Sequence, residues 1–312
     1  MRHAGDGCSA GANGWFVAPN WVRIFILLLA VPVLAAPAAA QKKPREVGKG
    51  INFYSLEREI ALGRQLAEEV QRQSKLVDDP IVGEFVNRLG QNLARNSDAR
   101  VPFTFKIIQD DSLNAFALPG GFIFVNSGLI KASETEAELG SAMAHEVAHV
   151  AARHMTRQAT RRELVGILSI PASILLGGWT GYAVQQGAGL AIPMTFLKFG
   201  REFEGEADLL GLEYLHRSGY DPAAAIDVFE RFQALERRKP GVMAKVFATH
   251  PMNADRIREA QKFIQEQLDG RSEYVVTTSE FIEIRDRLMS LDERRERPAE
   301  TRPVLRRHDR FE

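Results

Sequence analysis

Cysteine is nearly absent from this 312-residue chain: Cys8 is the only one. Disulfides are therefore excluded as a source of stability, and neither a thiol nucleophile nor a thiolate metal site can be built in the body of the chain. A lipoprotein cysteine at the expected cut site is missing too. Charge of one sign is also not in excess, with Lys+Arg and Asp+Glu both at 40. That balance argues against nucleic acid as a partner, since binding it calls for a basic surface. No internal repeat of about 20–50 residues is found, and no uninterrupted apolar run reaches the length of a membrane crossing.

What is present is a globular composition, 45 % apolar and 26 % charged, in a chain long enough for one large core. Arg23 precedes an apolar run from Ile24 to Ala36, and Ala38 to Ala40 follow. A basic residue, an apolar stretch and small residues predict a signal peptide over 1–40, cut after Ala40, with an uncleaved anchor as the alternative. The expected location is the periplasm or the outside of the cell. Residues 41–290 are expected to form the main domain. Residues 291–312, rich in arginine and without apolar periodicity, are expected to form a disordered tail.

Helical periodicity begins at Ser55, and Asp79-Pro80 predicts the N-cap and first turn of a second helix. Alternation over Val101, Phe103, Phe105 and Ile107 predicts a strand. Asn114 to Leu118 and Phe122 to Val125 predict two more, around the turn Pro119-Gly120-Gly121. Ser133, with Glu136 three residues on, predicts the start of a helix running to about Met155. Later helices are expected over about 199–215, from Asp221-Pro222, over 254–268 and over 279–288. The apolar, glycine-interrupted segment 164–199 is open between core, a lid and a membrane-contacting element.

The helix from Ser133 carries SAMAHEVAHV at 141–150. Residues four apart share a helix face, so His145 and His149 can aim ring nitrogens at one ion. Glu146 then reaches the hydrolytic water rather than the ion. Zinc suits imidazoles and a carboxylate, and two histidines with a glutamate among small apolar neighbours would be costly without it. A third ligand is expected from REFEGEAD at 201–208. Glu204 and Asp208 share one face there, and Glu202 and Glu206 another. Spacing alone does not choose between the pairs. His154 is expected to be turned away from the two histidines, and His250, before Pro251, stands in a loop that could approach the metal.

Four ordered segments resemble one family: NAFALPGGFIFVNSGLI at 114–130, HEVAH at 145–149, REFEGEAD at 201–208 and THPMNADRI at 249–257. Together they are similar to the HtpX and CAAX-prenyl-protease-related zinc metallopeptidases, and most to the periplasmic BepA-like branch. The resemblance covers about Ser55 to Leu268. It implies an α+β, mostly helical zincin-like fold with a small β-sheet beside the His-Glu-x-x-His helix. It implies one zinc per chain on His145, His149 and Glu204, with Asp208 orienting a ligand. It implies catalytic parts for Glu146, His250 and Arg256, and a substrate-binding edge strand at Asn114, Ala115 and Phe116. The tetratricopeptide repeats of that branch are not expected here, because the sequence shows no such periodicity.

The expected reaction is endopeptidase hydrolysis, with Glu146 as general base and His250 or Arg256 beside the oxyanion. The expected partners are extended polypeptides, unfolded or misassembled in the envelope, with membrane-surface or envelope-assembly contacts besides and no nucleic acid. The rival is a latent or non-catalytic zinc-bound chaperone or binding module, with His250 as a fourth ligand.

Overall fold

The computed structural model describes residues 46–169, 199–238, 250 and 254–296. The expected signal peptide, residues 170–198 of the apolar segment and the tail from residue 297 lie outside the described residues.

The chain opens with two helices, α1 (Leu56–Gln73) and α2 (Pro80–Arg95). Each starts where a side chain satisfies free N–H groups: Ser55 accepts from Arg58, and Asp79 accepts from Ile81 and Val82. Val82, Phe85, Val86, Leu89 and Leu93 give α2 one fully buried face. Each such side chain contributes about 1.5–3 kcal/mol on burial.

Three strands follow: β1 (Thr104–Ile108), β2 (Ala115–Leu118) and β3 (Phe122–Asn126). Their order is β1-β3-β2, with β1 parallel and β2 antiparallel to β3. β1 starts later than the alternation predicts. Pro102 has no N–H to give a ladder, and its carbonyl is pressed by the turn between β2 and β3. A Cβ on Gly121 would lie 2.0 Å from that oxygen, and Gly120 and Gly121 sit at φ 73° and 94°. Only glycine permits this turn. It leaves β2 as an edge strand.

A short helix the sequence reading lacked, α3 (Ser127–Ala132), comes next and moves the following cap. Ser133 ends α3 by donating to the Leu129 carbonyl. Thr135, not Ser133, caps α4 (Glu136–Ala151): its hydroxyl accepts from Glu138 N–H, and Glu138 accepts from Glu134 N–H. The capping box is therefore two residues later than expected.

α4 is buried on nearly all sides, as its small apolar residues require. It packs against β2, α2, α6 (Arg201–Arg217) and α7 (Ala224–Arg238). It also ends earlier than the expected Met155. Arg153 takes φ 56°, and α5 (His154–Ser169) departs in a new direction. The strained residue is held by two bonds of 2.6 Å, to the Glu59 carboxylate and the Tyr54 carbonyl. Two more helices close the described fold, α8 (Ala254–Gln267) and α9 (Ser279–Glu296). α9 is anchored by Phe281, Ile284 and Leu288, buried against α2 and α3, and by Arg287 on Asp79, and it runs on past the expected 288 to where Asp292 meets Lys131. No helix among the described residues is long and apolar enough to cross a membrane.

Candidate active site

α4 carries His145, Glu146 and His149, α6 carries Glu204 and Asp208, and α8 carries Arg256, with His250 shortly before it. The one-turn spacing on α4 brings the two imidazoles together, Nε2 to Nε2 at 3.0 Å. α6 packs across α4 and delivers the Glu204 carboxylate. Its oxygens lie 3.5 Å from His145 Nε2 and 3.6 Å from His149 Nε2. His250 Nδ1 closes the group, 3.3 Å from His145 Nε2 and 3.0 Å from Glu204. Among the described residues, these four form the group of donors that could hold a metal ion.

The donor set fits zinc. Bonds of about 2.0–2.1 Å in a tetrahedron put neighbouring donors about 3.3 Å apart. Five donor pairs lie 3.0 to 3.6 Å apart, and all four ligand atoms fall within 4.8 Å of one another. The protons agree. His145 Nδ1 lies 3.1 Å from Asp208, so the proton belongs there and Nε2 keeps a lone pair. His149 Nδ1 faces His154 Nδ1 at 2.9 Å, and with its proton donated to that ring its Nε2 has a lone pair for an ion. Two lone pairs and a carboxylate converging on one buried point repel unless a cation lies among them.

The electrostatics say the same. Burial by itself would lower the pKa of His145, but hydrogen bonds to Asp208 and Glu204 outweigh it and push it up to about 10. The ring gathers a proton where a metal ion would otherwise supply positive charge. For His149 burial dominates, with the charge of His145 behind it, and holds the ring neutral. Glu204 is kept far below the usual carboxylate range. Burial opposes this, and His250 and His145 prevail.

Glu146 differs from its neighbours. Burial raises its carboxyl, against the opposing pull of His250 and His145. One oxygen lies 3.3 Å from His250 Nε2, while Oε2 is buried with no hydrogen-bond partner. A buried carboxylate with a raised pKa and an unanswered oxygen is poised to accept a proton.

A cavity of about 90 Å³ opens beside Glu146, walled by Leu113, Ala115, Leu129, Leu212, Val228 and Phe229. A smaller hollow, bordered by Ala117, Leu118 and Phe199, lies by His149. β2 runs along both. Asn114 and Ala115 line the larger cavity, whereas Phe116 turns to the other face and stacks on Phe124 at 5.4 Å.

The acidic residues of α6 face different surroundings. Glu204 faces the imidazoles, and Asp208 backs His145. Glu202 is exposed and pairs with Arg161 at 2.9 Å. Glu206 is 3.0 Å from His154 Nε2 and 3.0 Å from Arg157. Arg256 grips Asp208 through two bonds of 2.6 Å and reaches Glu204 at 3.1 Å. His154 is a correction: it is not turned away but lies against His149, at 2.9 Å. The break at Arg153 brings it back, and no glycine or proline announces that break in the sequence.

The profile of peptidase family M48 matches residues 81–264. The chain is 32 % identical, over 254 residues, to a Vibrio cholerae protein named as a beta-barrel assembly-enhancing protease, covering 77 % of this chain and 51 % of that one. It is 30 % identical over 216 residues to the beta-barrel assembly-enhancing protease of Escherichia coli strain K12, covering 66 % and 44 %. The mitochondrial metalloendopeptidase OMA1 of Schizosaccharomyces pombe is 35 % identical over 165 residues, covering 51 % and 46 %. The chain thus spans about half the length of these relatives.

Proposed function

Because the chain belongs to peptidase family M48, we propose that it is a zinc-dependent endopeptidase acting on unfolded or misassembled polypeptides of the cell envelope. The observation that carries this reading is the buried, unpartnered Glu146 oxygen beside three converging donors, His145, His149 and Glu204.

His145, His149 and Glu204 would hold the zinc, which would supply Lewis acidity for the hydrolysis. The chain does the rest. Glu146 takes the proton of the attacking water and returns it to the leaving amine. Burial raises its pKa above the usual carboxylate range, the direction that helps it hold the proton between the two transfers. Asp208 and Arg256 hold His145 and Glu204 in place, and this supports Arg256 as a positioning group for the ligands. The free edge of β2 offers main-chain groups to an extended peptide, with little demand on its side chains. The apolar cavity beside Glu146 suits chains that expose apolar residues, as unfolded ones do. The pattern of residues 1–40 supports export, hence action in the periplasm or outside the cell, with membrane association open. The names of the bacterial relatives point to the same envelope setting.

The position of His250 favours a second reading. Its Nδ1 stands where a fourth ligand would, as in a latent form or a closed zinc-bound chaperone or binding module. Degradation of an unfolded casein-type substrate, with and without chelator, separates the two. Glu146→Gln is expected to keep its zinc and lose about 10²–10⁴-fold in rate. A wild-type protein that binds zinc yet cleaves nothing would favour the closed module. Full activity in Glu146→Gln would end the assignment of Glu146.

A further inference from the structure

We propose that His154, Glu206 and Arg157 form a positioning relay for His149, and that residues 46–54 are a working part of the metal site because they close the outer end of that relay. The proposal rests on the reading of His145, His149 and Glu204 as metal ligands.

The relay has one consistent arrangement of protons. His149 turns Nε2 toward the other donors, so its proton lies on Nδ1. That atom is 2.9 Å from His154 Nδ1, which must therefore accept. The proton of His154 is then on Nε2, 3.0 Å from Glu206 Oε2. Glu206 also accepts from Arg157 at 3.0 Å, and its other oxygen accepts from Gly48 N–H at 3.0 Å. Every donor meets an acceptor, and both rings stay neutral. The same order follows from the far end: the Glu206 carboxylate can only accept, so a neutral His154 carries its proton on Nε2, and its Nδ1 is left to accept from His149 Nδ1–H.

The packing leaves the rings little freedom. His154 is fully buried, and it stacks on Phe203 at 4.6 Å while His149 stacks on Phe199 at 4.2 Å. Arg157 lies over the other side of the contact, 4.9 Å from the Phe203 ring. A continuous helix would turn residue 154 about 140° from residue 149. The left-handed Arg153 prevents this, and Glu59 and the Tyr54 carbonyl hold it there.

Residues 46–54 are stitched to the same helix. Arg157 donates to the Lys49 carbonyl. Asn52 donates to Thr156 at 2.9 Å, Phe53 N–H to Thr160 at 3.0 Å, and Tyr54 to Glu163 at 2.7 Å. Gly48 takes φ 69°, and a Cβ there would lie 3.0 Å from the carbonyl of Ala152, at the C-cap of α4, so a side chain cannot enter without moving this segment off the end of α4. The arrangement repeats that of the other histidine. His145 is backed by Asp208 and Arg256, and His149 is backed, through His154, by Glu206 and Arg157. Each ligand has its own carboxylate and arginine, and both carboxylates come from α6.

The test uses the chain from residue 41 and measures its dissociation constant for Zn²⁺ against a chromophoric chelator, together with the visible spectrum of the Co²⁺-substituted protein. Loss of an outer partner of a ligating histidine weakens metal binding about 10–100-fold, and His154→Phe is expected to do so and to alter the cobalt spectrum. His154→Gln can accept from His149 and donate to Glu206, and is expected to stay within about threefold of wild type, a rescue that mere filling of space would not give. Glu206→Ala and Gly48→Pro are expected to weaken binding in the same direction. Glu202→Gln, on an exposed residue of the same helix, is expected to leave it unchanged. If His154→Phe fails to fold, Glu206→Ala, at a partly exposed carboxylate, decides the matter alone. Unchanged affinity and an unchanged cobalt spectrum in Glu206→Ala would overturn the relay while leaving the metal site standing. A wild-type chain that binds no zinc would instead overturn the reading beneath it. Weakening in Glu206→Ala with none in Gly48→Pro would remove residues 46–54 from the proposal.

Discussion

Arg256 shows at the scale of one residue how charge is arranged around the site. It is 6 % exposed, and its guanidinium faces two buried carboxylates, Asp208 and Glu204. Removing one partner of such a group leaves unpaired charge in the interior, which costs about 3–5 kcal/mol. Arg256→Leu is therefore expected to lower the unfolding free energy of the zinc-free protein by about that amount, measured by urea denaturation. Saturating zinc is expected to recover part of the loss, because the ion supplies positive charge to Glu204. A loss below about 1 kcal/mol would mean that water or another cation already compensates both acids.

At the scale of elements, two contacts set the geometry. The first is α4 against α6, where Gly211 lets the helices approach. A Cβ there would lie 3.2 Å from the backbone N and Cα of His145, so the absence of a side chain keeps Glu204 within reach of the imidazoles. The second is α9 against α2. Arg287 grips the Asp79 carboxylate that also caps α2, and Phe281 packs near Phe85 with ring centroids 6.1 Å apart. The hydrogen bond from Arg287, with help from the Val82 and Ile81 N–H groups and against some burial, holds Asp79 below the usual carboxylate range. Its stabilisation is therefore complete above about pH 4 and is lost as pH falls through the lowered folded value. Asp79→Ala is expected to destabilise by about 1–2 kcal/mol at pH 7. Melting curves of the two proteins are expected to converge as pH falls through that lowered folded value, and a difference independent of pH would contradict the role of the charge. α9 outruns its expected end at 288 for a separate reason. The periodicity after Leu288 is weak, and the helix is held by packing and by Lys131 on Asp292 at 2.6 Å rather than by its own pattern.

For the whole molecule, the candidate metal site joins parts of the chain that are distant in sequence. His145, His149, Glu204 and His250 converge on one point, and Gly48 is tied to it only through Glu206 and His154. A ligand that binds only the folded state stabilises it by an amount that grows with the logarithm of its concentration, about 4 kcal/mol at a thousandfold excess over Kd. Stripping zinc with a chelator is accordingly expected to lower the melting temperature by about 8–16 °C for a domain of this size. Readdition of zinc, but not of magnesium, is expected to restore it, because the donors are nitrogen-rich. An unchanged melting temperature in calorimetry would mean that the donors hold no ion.

What can be read from the sequence alone is what is local. Ser55 and Asp79-Pro80 start helices as their caps require. The glycine turn pairs β2 with β3, and the i, i+4 histidines share a face because the helical repeat leaves no alternative. Those features depend on a few neighbouring residues and on elementary backbone geometry. Tertiary contact decided the rest. Glu202, Glu204 and Glu206 are chemically the same, and only the packing of α6 on α4 determined which faces the imidazoles, which meets His154 and which stays in solvent. The break at Arg153 carries no glycine or proline to betray it. It exists because Glu59 and the Tyr54 carbonyl, far away in the chain, hold a backbone conformation that its own residue disfavours.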